Sequence, residues 1–276
     1  ESVDVAANLV GALNIQPIQV GDRIAELWDR IDQSIEKLET RPRIQIRARR
    51  MRGWWVAAAA LLILVAVRFL LPSDDVIKTS YAQQIAYVLP DGSIAHLNDG
   101  SLIRLKTHRF NQSRRLKLKG EAFFEVEKGS TFLVETTNGS VEVLGTSFNV
   151  YARGESLEVH CNSGRVKVMT DQDTTVLVAG KHVVRNSSGG LVEGEFSIAS
   201  EGDWTDGKFQ FKNKPLSRVF SELERQYDVE VRLPKGLGDE LYTGFFNDHN
   251  LDSALHNICW PLELNYEIDA KKVIIQ

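Results

Sequence analysis

The chain has 276 residues, 43% of them hydrophobic and 25% charged, with a formal net charge of −4. That length allows more than one core, and the acidic balance argues against general nucleic-acid binding. Two cysteines, Cys161 and Cys259, are too few for a disulfide framework and are expected as unpaired buried residues, although a bridge is feasible outside the cytoplasm.

Residues 1–53 form a first segment. It opens on Glu1 rather than Met, which leaves room for residues upstream. Asp22, after Gly21, is the expected N-cap of a helix. Ile24, Leu27, Trp28, Ile31, Ile35 and Leu38 recur at helical spacing, with charged residues on the other face, and Pro42 ends the pattern. One amphipathic helix cannot bury its own stripe. It packs on an earlier helix, on a partner or on a membrane surface; the membrane reading is the weaker, because the polar face is as acidic as it is basic. A Trp on such a stripe suits partner binding, so Leu27, Trp28 and Ile31 are the candidate contact.

Residues 54–71, WWVAAAALLILVAVRFLL, are apolar apart from Arg68. As a helix they would rise roughly 27 Å, close to a bilayer's hydrocarbon thickness. Six arginines lie between residues 41 and 52, whereas Asp74, Asp75 and Lys78 follow the stretch. The asymmetry predicts a single-pass membrane protein with its N-terminus in the cytoplasm. Trp54 and Trp55 suit an interfacial aromatic belt, and Arg68 can snorkel to the headgroups. Residues 72–80 read as a polar linker.

From 81 to about 200 the period becomes two. Leu116 and Leu118 alternate with lysines; Ala122, Phe124 and Val126 alternate with glutamates; Val141 and Val143 flank Glu142, and Val166 and Val168 share a face. Turn pairs such as Asp91-Gly92, Asn98-Asp99-Gly100 and Asn138-Gly139 separate these runs. The expectation is an all-β sandwich, barrel or solenoid without helices. Phe123, Phe124 and Phe148 are candidate core residues.

From 204 to 276 the pattern changes again. Trp204 to Gly207 is a junction; Phe209 and Phe211 mark a strand; Pro215 suits the start of a helix whose face is Leu216, Val219, Phe220, Leu223 and Tyr227. Strands around Val231 and Tyr242–Phe246 follow, then a helix capped by Asn250, then two strands. The order β-α-β-β-α-β-β predicts a small α+β domain with two helices against one sheet.

These blocks carry a resemblance. Leu89–Leu105 (LPDGSIAHLNDGSLIRL) resembles the opening of the FecR family's periplasmic domain, and Leu118–Gly129 (LKGEAFFEVEKG) and Val141–Ala152 (VEVLGTSFNVYA) are similar to its next blocks in order. Ser163–Val168 (SGRVKV) and Val178–Val184 (VAGKHVV) match its closing turns more loosely. The C-terminal pattern resembles the secretin and TonB short N-terminal type of domain found at the end of such regulators. The resemblance implies an inner-membrane anti-sigma factor. Its cytoplasmic partner would be an extracytoplasmic-function sigma factor. Its periplasmic partner would be the signalling domain of a TonB-dependent outer-membrane receptor, with periplasmic and intramembrane proteases and membrane lipid as further partners. It also implies a candidate self-cleavage bond at Gly145-Thr146, where a Thr hydroxyl attacks the preceding carbonyl; a turn with a hydrogen-bonding Thr is the alternative. A periplasmic adaptor without a transcriptional role is the rival function. No phosphate loop, HExxH, nucleophile elbow or CxxC occurs, and the six histidines are scattered, so no enzyme, cofactor or metal site is expected.

Overall fold

The computed structural model describes residues 20–39, 57–63, 74–197, 203–247 and 250–276. The chain divides into two units, Glu1–Phe69 and Leu70–Gln276.

In the first unit, helix α1 spans Val20–Glu39. It starts two residues before the expected cap, so Asp22 lies within its first turn rather than at its N-cap. Residues 57–63 are helical, with Leu61, Leu62 and Ile63 exposed. Among the described residues no helix is long and apolar enough to cross a membrane. Most of the expected 54–71 span, including Trp54, Trp55 and Arg68, lies outside the described residues.

The second unit opens with a β body. Its strands are β1 (Asp75–Lys78), β2 (Ile85–Val88), β3 (Ile94–Leu97), β4 (Leu102–Leu105), β5 (Arg115–Glu125), β6 (Phe132–Thr136), β7 (Gly139–Val143), β8 (Ser147–Ala152), β9 (Glu158–Cys161), β10 (Arg165–Met169), β11 (Thr174–Val178), β12 (Lys181–Arg185) and β13 (Leu191–Glu195). One face runs β1-β4-β5-β6-β7-β10-β11 and the other β2-β3-β5-β8-β9-β12-β13. Strand β5 belongs to both. Its first half pairs with β4 and β6, its second half with β3 and β8. The crossover falls at Gly120, whose φ of +109° is open to glycine and whose added Cβ would stand 2.6 Å from the Ser101 Cα. The two faces so joined form a barrel-like sandwich.

The body's core is continuous and apolar. Phe124 stacks on Phe148 at 5.2 Å between ring centroids, and Phe132 meets Phe124 and Phe110 edge-on at 6.0 and 5.9 Å. Phe110 comes from helix α2 (Thr107–Ser113), which the strand-only expectation omitted. At seven residues it is too short to show a period, and one fully buried Phe anchors it. The expected 72–80 linker also changes character, because β1 pairs with β4 within it. A four-residue strand whose only half-buried side chain is Ile77 leaves no alternation to read. Phe123, expected in this core, instead packs on the C-terminal core, as the pleat requires of the neighbour of Phe124.

The C-terminal part follows the expected order: β14 (Lys208–Pro215), α3 (Leu216–Tyr227), β15 (Glu230–Arg232), β16 (Leu241–Asn247), α4 (Leu251–Cys259), β17 (Tyr266–Asp269) and β18 (Lys272–Ile275). Two corrections apply. The strands form two sheets, β14-β16 and β15-β18-β17, rather than one. Pro215 is extended (φ −56°, ψ 140°) and ends β14, so the helix starts one residue later. Asn250 caps α4 as expected, accepting a hydrogen bond from Ser253 N at 3.0 Å. A second apolar core, built on Phe209, Phe220, Leu223, Phe246, Ile258 and Val273, fills this part.

Candidate functional site

On α1, Ile24 (47% exposed), Leu27 (58%), Trp28 (61%), Ile31 (42%) and Ile35 (49%) are open to solvent. The three candidate contacts, Leu27, Trp28 and Ile31, therefore lie on one uncovered apolar stripe. A monomeric protein rarely leaves so many large apolar side chains in a row exposed, so the stripe is a feature of the described residues that calls for a partner.

The second unit holds a polar junction between its two cores. At one end, Glu158 of β9 accepts hydrogen bonds from Lys214 Nζ at 2.8 and 2.9 Å and from His160 Nε2 at 2.9 Å, and pairs with Arg218 Nη1 at 2.7 Å. Arg218 lies over the Tyr151 ring at 4.1 Å. Burial works to raise the Glu158 carboxyl, but Arg218, the His160 hydrogen bond and Lys214 outweigh it and hold it well below the usual range.

At the other end, the Asp99 carboxylate, fully buried, faces Arg225 Nε at 3.3 Å and Arg153 Nη2 at 3.4 Å, and Gln226 donates to it. Asn98 Nδ2 donates to Glu121 at 3.0 Å and to Glu222 at 3.3 Å, and Gln226 Nε2 donates to Asn98 Oδ1 at 2.9 Å. Asn149 links Glu121 to the C-terminal part, donating to Glu121 at 2.9 Å and accepting from the Trp204 indole at 3.2 Å. Here carboxylates crowd together. Burial, then the nearby Glu222, push Asp99 up to about 8 against Arg153 and Arg225. The same two causes raise Glu121. A cavity of about 570 Å³ opens beside Glu158, with Lys208, Lys212, His182 and Phe196 in its lining.

The sequence hid this junction. Glu121 and Glu158 sit in alternating runs whose carboxylates read as solvated, yet both are buried. Nothing local links Asn98 to Gln226 or Glu158 to Arg218; only the fold does.

Gly145 and Thr146 lie between β7 and β8. A Cβ on Gly145 would stand 2.9 Å from the Lys128 Cα, so the position is built for glycine. Thr146 is buried, and its hydroxyl donates to Arg165 O at 3.1 Å. Both cysteines are free and buried, and burial pushes each thiol up to about 11. His160 and His182 stack at 4.9 Å across β9 and β12. Among the described residues no group of His, Cys, Asp or Glu could hold a metal ion.

A barrel-like body that shares a polar junction with a small α+β part matches known proteins. The model of the FecR protein family matches residues 75–167, and that of the FecR C-terminal region matches residues 208–275. The chain belongs to the FecR family, a family of sigma-factor regulators. Two crystal structures of a candidate anti-sigma factor from Parabacteroides distasonis, at 1.65 and 2.50 Å resolution, are each 27% identical to it. Each match covers 73% of this chain and 98% of the other, with a TM-score of 0.69. No curated protein matches the chain.

Proposed function

We propose that the chain is an inner-membrane anti-sigma factor that holds an extracytoplasmic-function sigma factor on the α1 stripe. Residues 54–71 anchor it in the membrane with residues 1–53 in the cytoplasm, and the second unit lies in the periplasm. There residues 204–276 meet the signalling domain of a TonB-dependent outer-membrane receptor. Release of the sigma factor follows cutting of the anchor by periplasmic and intramembrane proteases, because a single helix transmits a small conformational change poorly. The relay works without a catalytic site of its own; the Thr146 hydroxyl, engaged by the Arg165 carbonyl, serves as a turn lock.

The observation that carries this reading is the uncovered Ile24–Leu27–Trp28–Ile31–Ile35 stripe in a member of the FecR family. Deleting residues 1–40 tests it in cells through a sigma-dependent reporter. Loss of control supports the anti-sigma role. Unchanged control with both outer parts intact favours a periplasmic adaptor instead.

A further inference from the structure

We propose that the last turn of α3 is a latch that keeps β1 in the sheet, so that displacing the C-terminal part frees β1 and lengthens the tether between the β body and the apolar stretch. The latch belongs to the second unit and holds whether or not α1 binds a sigma factor.

Strand β1 is weakly attached on its own. Among the described residues it lies at a sheet edge, pairs with β4 alone, and half-buries one side chain, Ile77. Its hold comes from the turn that follows. Thr79 N donates to Ser101 O at 2.9 Å, and Thr79 Oγ1 donates to Asn98 O at 2.6 Å. Gly100 N donates to Ser80 O at 3.1 Å. These bonds tie the end of β1 to the Asn98–Ser101 turn, which leads directly into β4.

Both partners in that attachment are gripped by α3. Ala82 N donates to Arg225 O at 2.8 Å, the backbone contact between the 79–84 turn and the helix. Ala82 stands at φ +54°, a left-handed conformation that alanine keeps only where its surroundings impose it. Gln84 Nε2 reaches Gln226 Oε1 at 3.4 Å and Asn98 Oδ1 at 3.1 Å. On the other side, Glu222, Arg225 and Gln226 hold Asn98 and Asp99 through the contacts described above. The end of α3 therefore fixes the strand's exit and the turn that leads into its partner β4 together. The junction is mainly polar, with Phe123 the β-body side chain packed on the C-terminal core. Interfaces of this composition between parts of one chain permit relative motion. In sequence β1 begins at Asp75, shortly after the apolar stretch ends at Leu71, so its four residues and the 79–84 turn would become added tether.

Amide hydrogen exchange on the full chain in detergent micelles tests the latch, comparing the parent with Gln226→Ala and Arg225→Ala. The latch predicts that protection over residues 75–79 falls by about tenfold or more, the equivalent of about 1.4 kcal/mol, while β7 and β10 keep the parent's protection. Unchanged protection at 75–79 in a folded variant overturns it. So does an equal loss across β1, β7 and β10, which would mean general destabilisation. If Arg225→Ala fails to fold, Gln226→Ala, which removes no charge, decides alone.

Discussion

Arg218→Ala probes the Glu158 end of the junction. The substitution removes a charge-assisted contact of 2.7 Å to a buried carboxylate and the guanidinium over Tyr151. A hydrogen bond to a charged group contributes about 1.5–3 kcal/mol, and a part-exposed cation–π contact about 0.5–1 kcal/mol. Orphaning a buried charge costs about 3–5 kcal/mol, but that figure is not reached, because Lys214 and His160 still hold Glu158. The expected loss is about 2–4 kcal/mol. In a body of this size 1 kcal/mol moves Tm by about 2–4 °C, so the midpoint of thermal unfolding of the full chain, followed by circular dichroism near neutral pH, should drop by about 4–16 °C. Lys214→Ala should cost less. The double variant should cost more than the sum of the two, since only His160 remains. A Tm within about 1 °C of the parent's for Arg218→Ala would refute the reasoning: Glu158 would then not depend on the helix.

The Asp99 end gives a pH prediction of definite sign. Its folded carboxyl is raised from 3.8 to about 8, so the stability it contributes is full below the unfolded value and is lost as pH rises through about 8. Glu158, lowered, contributes above 4.5 and loses that contribution as pH falls. Unfolding free energy should therefore decline between about pH 5 and pH 8, and Asp99→Asn should flatten the decline. A parent whose stability rises over that range would contradict it. Phe110→Ala should lose about 3–5 kcal/mol in denaturant unfolding, as expected of a fully buried Phe. Gly120→Ala should lose about 3 kcal/mol, because it adds a Cβ against the Ser101 backbone at a positive φ. On denaturing gels the purified chain should run as one full-length band; a fragment pair that persists in Thr146→Ser and vanishes in Thr146→Ala would instead show that the Gly145-Thr146 bond breaks.

What the sequence made legible follows from range. Period two over Leu116–Val126 and Val141–Val143, and period 3.6 over Ile24–Leu38 and Leu216–Tyr227, are local patterns, and the strands and helices stand where they point. Helix α2 and strand β1 were missed because seven and four residues give no period. The sharing of β5 between two faces was hidden as well: Gly120 marks a turn or bulge in sequence, and only pairing to β4 and β6 before it and β3 and β8 after it makes it a crossover. Trp28 could be singled out because a large apolar side chain on a polar helix is anomalous in itself. Glu158 and Asp99 could not, since a buried carboxylate becomes visible only when Arg218 and Arg225, far along the chain, arrive beside it.

The most direct measurement is a pull-down from detergent-solubilised membranes. The intact chain serves as bait and a Trp28→Ala, Ile31→Ala double variant as control. The account predicts that a sigma factor is recovered by the intact bait and lost with the variant. Recovery by neither bait, with an outer-membrane receptor still co-purifying, would contradict it.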